Sequence, residues 1–267
     1  GMVFQSPGDI LFRVFDFPVY YYGLILAASC LIGVYTAFLF FKKYNPDKDY
    51  NAIWDFSAYI IIAGILGARL YYCLLNPVYY FYHPGEILFI RQGGLSIHGG
   101  VTVGILLLII LAKKHKLPVW NLLDAFVCGT AIAQAIGRWG NFFNSEAFGF
   151  PTNLPWKLFI PLSRRPVEYA DYNFFHPAFL YESILDLIIF IFLFFAIKKF
   201  AKKQPGVTFC LYLTLYSLVR IFTEYIRIDS ALNLYGIPVA QIISVCWIII
   251  ALVIMLLLYR KNHNLYG

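Results

Sequence analysis

Residues 188–196 read IIFIFLFFA, with no polar side chain at any position, and residues 105–111 read ILLLIIL in the same manner. A membrane strand shows one face to lipid and the other to a lumen, so its sequence alternates. Unbroken apolar runs suit helices instead. Followed outward, seven stretches reach or approach the roughly 20 apolar residues that a helix needs to cross a bilayer. They are 19–41, 56–75, 96–112, 122–137, 177–197, 207–226 and 237–258. The expectation is an all-α polytopic membrane protein of seven transmembrane helices. Composition agrees: the chain is 61% hydrophobic and 13% charged, with mean hydropathy +0.70, against about 25% charged residues in soluble domains.

The net charge of +7 is organised. Lys42, Lys43 and Lys48 follow the first span, Lys113, Lys114 and Lys116 the third, Lys198, Lys199, Lys202 and Lys203 the fifth, and Arg260 and Lys261 the last. Basic loops mark the cytoplasmic side, which places the N-terminus outside, the C-terminus inside, and Arg91, Arg164 and Arg227 in outer loops. That rule accounts for the basic clusters, so no nucleic-acid partner is implied. The long outer connections are 76–95 and 141–176. In the second, Pro151, Pro155 and Pro161 bracket a short extended piece that reads as one arm of a hairpin in a small external cap. The whole of 1–267 reads as one membrane domain. Its first span has no basic segment before it and no cleavage site after it, so it reads as a retained helix, with Gly1 as an expression scar. Cys30, Cys73, Cys128, Cys210 and Cys246 fall in the spans without a C-x-x-C pair and read as apolar packers; no metal site is expected.

Arg69, His98, Arg138, Glu182, Arg220 and Glu224 sit within or at the ends of apolar stretches, where an ionisable group is a functional hypothesis by default. By the topology above, all lie toward the outer side. Tyr216, Arg220, Glu224 and Arg227 recur at spacings of four, four and three, which stacks them on one helix face. Such a face could hold a bracing Arg–Glu pair or a binding site. In RQGGLSIHGG, residues 91–100, paired glycines flank His98, which could be an interhelical hydrogen bonder or a proton acceptor. Two arginines with a histidine suit an anionic substrate, since guanidinium groups grip phosphate through two parallel N–H bonds, and an anionic phospholipid is the natural candidate. A solute or proton transporter is the alternative. A retinal protein is excluded because 237–258 contains no lysine for a Schiff base. A protease built on Ser96 and His98, two residues apart, has poor geometry.

The stretch GRWGNFFNSEAFG, residues 137–149, fits the pattern G-R-x-G/A-N-F-x-N-x-E-x-x-G at Gly137, Arg138, Gly140, Asn141, Phe142, Asn144, Glu146 and Gly149. With Tyr22-Gly23, GARL at 67–70, GGLSIHGG at 93–100, HPxxLYE at 176–182, and Tyr216, Arg220 and Glu224, the chain resembles the bacterial prolipoprotein diacylglyceryl transferase family over nearly its whole length. Phe179 departs from the family's common glutamine, so no polar role is expected there. The resemblance implies an inner-membrane enzyme without a cofactor, its active site toward the outer face. Such an enzyme moves the diacylglyceryl group of phosphatidylglycerol to the lipobox cysteine thiol of a prolipoprotein, forming a thioether and releasing glycerol phosphate. On this basis Arg138 and Arg220 are expected to hold the phosphodiester, His98 to act as base and Tyr216 as a positioning donor. Asn141, Asn144 and Glu146 are expected to bind substrate or orient Arg138. Glu224 joins the binding set, Gly149 a backbone turn, and Tyr22 the lipid headgroup.

Overall fold

Every backbone amide in lipid must find its partner within the chain, and a helix does this along its own length. The computed structural model describes residues 2–88, 97–228, 233–234 and 236–263. It is a helical bundle of α1 (Tyr21–Tyr44), α2 (Ala52–Leu75), the short α3 (Pro77–Tyr82), α4 (Ile97–Lys114), α5 (Val119–Phe143), α6 (Ala178–Phe200), α7 (Val207–Ile226) and α8 (Val239–His263). Among the described residues six helices, α1, α2, α5, α6, α7 and α8, are long and apolar enough to cross a membrane. Among the described residues three antiparallel strand pairs decorate the bundle: β1 (Ile10–Val14) with β2 (Phe17–Tyr20), β3 (Leu158–Phe159) with β4 (Phe174–Phe175), and β5 (Asn233–Leu234) with β6 (Ile237–Pro238).

Several expected boundaries shift by a few residues, and two of the shifts change what an element carries. Val19 and Tyr20 belong to β2 and not to the first helix. The fourth helix does not end at Gly137. It runs on through Phe143 and carries Arg138, Gly140 and Asn141 inside regular helix, so the motif's polar residues are displayed from a rigid element.

Side-chain contacts establish that the long helices alternate in direction. At one end Asn121, early in α5, donates from Nδ2 to Asn45 Oδ1 after α1 (3.0 Å) and to the Ala201 carbonyl after α6 (3.4 Å). At the other end the Tyr22 ring lies where a Cβ on Gly140 would sit, 2.8 Å away. The basic clusters therefore share the first end and the GRWGN motif the second. α5 occupies the centre and packs against α1, α4, α6 and α7. Its closest approach is to α1: a Cβ on Gly129 would stand 2.2 Å from the Gly33 carbonyl oxygen, so only glycine permits this crossing.

The same device explains Gly99 and Gly100 after His98. A Cβ on Gly99 would meet Tyr71 at 2.6 Å, and one on Gly100 the Gly64 carbonyl oxygen at 3.1 Å. These glycines let α4 pack on α2.

Between α5 and α6 the chain folds into a cap. The extended piece within 151–161 is β3, paired with β4 and bridged to Gln5 near the N-terminus. Phe142, Phe148, Leu158, Ile160, Phe175 and Phe179 form its apolar centre. Phe179, fully buried, stacks among Trp139 (5.3 Å between centroids), Phe142 (5.2 Å) and Phe4 (6.3 Å). The phenyl thus joins the cap to the helical bundle, which accounts for an apolar residue at this position.

At the basic end, a buried carboxylate closes the next helix. Asp124 of α5 accepts the backbone N–H groups of Gly206 (2.8 Å) and Phe209 (2.9 Å), capping the N-terminus of α7 from a neighbouring helix. Gly206 has φ +103°, which suits glycine and turns the chain into α7. Asp124→Ala leaves two buried donors unmet and should cost about 2–4 kcal/mol, seen as a lowered midpoint of thermal unfolding in detergent. An unchanged midpoint would show the cap to be dispensable.

Candidate functional site

Burying an ionised group without a partner costs several kcal/mol, so charged residues in a bundle must find one another. Here they meet at one carboxylate. Glu182, in the first turns of α6 and only 2% exposed, receives Arg138 of α5 through Nε (3.0 Å to Oε2), Arg220 of α7 through Nη1 (3.3 Å to Oε1), and Arg227 just after α7 through Nη1 (3.5 Å to Oε1). Glu224, one turn beyond Arg220 on the same helix, pairs with its Nη2 at 2.9 Å. The exposed side of this cluster is Arg220 and Arg227, whose side chains keep 15% and 14% of their surface against 3% for Glu182. Anything approaching the guanidinium groups would come from the α7 flank.

A tight crevice, too narrow to hold a water, lies among these charges and is lined by Arg138, Glu182, Asp186, Tyr216, Arg220 and Thr223. Tyr216 is buried and stacks on Tyr212 at 5.7 Å, whose hydroxyl donates to Gln134 (2.9 Å). The three guanidinium groups and three carboxyl groups (Glu182, Asp186, Glu224) balance in number. An arginine has five N–H donors in a planar fork, more than the pairs on each one use, so a further anion can be bound without dismantling the pairs.

The rest of the motif forms the edge of this site. After α5, Ser145 (φ +51°) and Ala147 (φ +55°) adopt the left-handed conformation that L-residues avoid, each at a cost of about 1–2 kcal/mol. The turn is held by Ser145 N–H to the Phe142 carbonyl (3.1 Å) and Glu146 N–H to the Asn141 carbonyl (3.0 Å). Strain kept in a tightly bonded turn is a feature of functional sites. The turn brings Glu146 Oε1 to Asn144 Nδ2 (3.2 Å). The Tyr22 phenol, against Gly140, lies within electrostatic reach of both Glu146 and Arg138. Asn141, Asn144, Glu146 and Tyr22 therefore surround the α5 end next to Arg138.

Gly149 differs from its expected role. Its φ is not positive; it is required because a Cβ would meet His176 Cβ at 2.7 Å and the Ile226 carbonyl oxygen at 2.9 Å. Its N–H donates to the His176 carbonyl (2.8 Å) and it bridges Arg227, so it docks the cap onto the end of α7.

Arg69 is engaged elsewhere. Its Nε and Nη2 donate to the carbonyls of Ile87 (3.0 Å) and Glu86 (2.7 Å), and its plane lies against Tyr72 and Tyr80, bracing the connection that follows α2. His98 begins α4 at the same end of the bundle, and its side chain lies outside the described residues. His176 and Tyr181 brace the cap: Tyr181 Oη lies 3.0 Å from His176 Nδ1 and accepts from Trp156 Nε1 at 2.7 Å. No group of three metal-ligating side chains occurs among the described residues.

Glu182, one of the ionisable groups that the sequence places in an apolar stretch, is the hub of this site, a task that the sequence alone does not assign to it. Asp186 was not singled out, yet it stands four residues further on α6, on the same face, and that spacing was the available signal.

Comparison with known proteins gives a consistent result. A family model described as prolipoprotein diacylglyceryl transferase matches residues 9–257. The chain is similar to proteins named phosphatidylglycerol–prolipoprotein diacylglyceryl transferase. That of Synechococcus elongatus is 40% identical over 99% of this chain and 92% of its own length. That of Trichormus variabilis is 42% identical over 99% and 94%, and that of Thermotoga petrophila 44% over 95% and 85%.

The hub makes a quantitative demand on stability. In a double-mutant cycle, Arg138→Ala and Glu182→Ala should couple by about 1–3 kcal/mol in detergent unfolding, because each leaves the other's charge buried alone. Arg69→Ala and Glu182→Ala should be additive within about 0.5 kcal/mol. Equal coupling in the two cycles would contradict the assignment of Arg69 to a separate brace.

Proposed function

The chain belongs to the prolipoprotein diacylglyceryl transferase family, and from that premise we propose that it moves the diacylglyceryl group of phosphatidylglycerol onto the lipobox cysteine thiol of a prolipoprotein. The observation that carries this reading is the meeting of Arg138 and Arg220, from different helices, on one buried carboxylate. Two guanidinium groups in one partly dry compartment form a cradle for a phosphodiester, and lipid is the phosphodiester that reaches a bundle from the side.

On this reading each residue has a task. Glu182 holds the guanidinium groups apart and aimed before substrate arrives, so little reorganisation accompanies the reaction. The substrate thiol loses its proton, and the resulting thiolate attacks the glyceryl carbon bonded to phosphate oxygen. The C–S bond forms as the C–O bond breaks, and the electron pair leaves with glycerol phosphate. Arg138 and Arg220 stabilise the charge gathering on that leaving group, with Glu224 orienting Arg220. His98 is assigned as the base, on its place at the start of α4 at the same end of the bundle. Tyr216 positions the substrate in the crevice, and Tyr22, Asn141, Asn144 and Glu146 bound the headgroup space at the end of α5.

The topology follows the same premise. With α4 as a seventh crossing, the basic ends of α1, α4, α6 and α8 face the cytoplasm of the bacterial inner membrane and the N-terminus lies outside. The arginine cluster then opens toward the outer leaflet, and residues 141–176 form an external cap above it, with 76–95 as a shorter outer connection. Both substrates are membrane-borne and would enter laterally. No relative reported above carries a transporter's name, and no feature of the cluster favours that alternative.

The test is transfer of radiolabelled glycerolipid to a lipobox peptide. Arg138→Ala and Arg220→Ala should each lower kcat by about 100-fold or more, the scale of removing a stabilising donor from a transition state. Full activity in both variants would remove the phosphate cradle; wild-type activity in His98→Gln would remove His98 as the base.

A further inference from the structure

Asp186 is the one carboxyl group of the crevice to which neither the sequence nor the ion pairs assign a task. It is 2% exposed. It lies one turn deeper in α6 than Glu182 and lines the crevice beside Arg138, Tyr216 and Arg220. Among the described residues its Oδ2 accepts no hydrogen bond. A buried carboxyl oxygen left without a donor costs about as much as the hydrogen bond it forgoes, which a folded chain tolerates where a ligand completes the set.

The chemistry of the proposed substrate supplies that donor. Arg138 and Arg220 fix a phosphodiester beside the crevice, and the group esterified on the far side of the phosphorus then lies against its lining, which leaves no room for a water and must part for a hydroxyl to reach Asp186. In phosphatidylglycerol that group is glycerol, whose hydroxyls are donors that the guanidinium groups, which carry only N–H, have no means to accept. We propose that Asp186 accepts a hydroxyl of the headgroup glycerol and makes the enzyme select a polyol headgroup over other monoanionic phosphodiesters. The inference rests on the transferase reading above. A site built around a hydroxyl discriminates strongly against an analogue lacking it, because the buried acceptor then stays unpaired.

The decisive comparison is between phosphatidylglycerol and phosphatidylethanol of the same acyl chains, in which the phosphodiester and its single charge are kept and the hydroxyls are gone. Transfer to a lipobox peptide is measured for both lipids with each protein, and the readout is the ratio of the two kcat/KM values. The wild type should prefer phosphatidylglycerol by about 10- to 100-fold, the range of one hydrogen bond to a charged group. In Asp186→Ala the ratio should fall toward one, while Asp186→Asn, which keeps one acceptor oxygen, should retain part of it. A fraction of misfolded protein lowers both rates alike and leaves the ratio intact, so the readout separates recognition from stability. A wild type that uses both lipids equally, or an Asp186→Ala enzyme that keeps the full preference, overturns this assignment and leaves the transferase standing. No transfer from either lipid by the wild type overturns the transferase reading itself.

Discussion

The arrangement of α5, α6 and α7 depends on the need to pair three arginines inside an apolar bundle, and Glu182 meets that need. Breaking a buried ion pair by removing one partner costs about 3–5 kcal/mol, far more than any single apolar contact between these helices. The pairing also reaches the cap. Arg227 lies where α7 ends and bridges Gly149, which in turn hydrogen-bonds the His176 carbonyl ahead of α6. The electrostatic hub, the end of α7 and the docking of the 144–177 connection are therefore one mechanical unit. A shift of Arg227 reaches the cap directly through its backbone bridge to Gly149.

Polar groups within the apolar bundle gather at two levels. Near the basic end Asp124 closes the N-terminus of α7, and Asn121 ties α5 to the ends of α1 and α6. Asp124 is buried with its oxygens taken up by backbone donors, so these contacts act as fasteners. At the other end the charges line a crevice and keep part of their surface exposed on the α7 flank. The same residue types are closed off at one end and partly exposed at the other, and exposure of the guanidinium groups separates the two settings.

Much of this was legible in the sequence, for identifiable reasons. Continuous apolar runs marked the long helices, and the spacing of Tyr216, Arg220 and Glu224 predicted a shared face because helix periodicity is local, whereas Arg227 lies in extended backbone just beyond α7. The motif at 137–149 pointed to the right end of the bundle. Other features were hidden because they depend on distant residues. That α5 continues six residues past Gly137 follows from packing around the cap, which no local pattern reports. The glycines beside His98 looked like room for a ligand, whereas a neighbouring helix fills that room; sequence shows that a side chain is missing but not what replaces it. Phe179 departed from its family's pattern, and only the cluster of Phe4, Trp139 and Phe142 shows why. Asp186 was readable only as the acid one turn beyond Glu182 on the same face of α6, and it gains meaning from its neighbours on α5 and α7.

The measurement closest to the central claim is an experimental density map of the protein in nanodiscs containing phosphatidylglycerol. The account predicts the lipid phosphorus within about 4 Å of both the Arg138 and Arg220 guanidinium groups, with the acyl chains leaving past α7, since charge-assisted N–H···O bonds of about 2.7–2.9 Å require that approach. A headgroup bound elsewhere, with the arginine cluster closed on Glu182 and apart from any lipid, would contradict it.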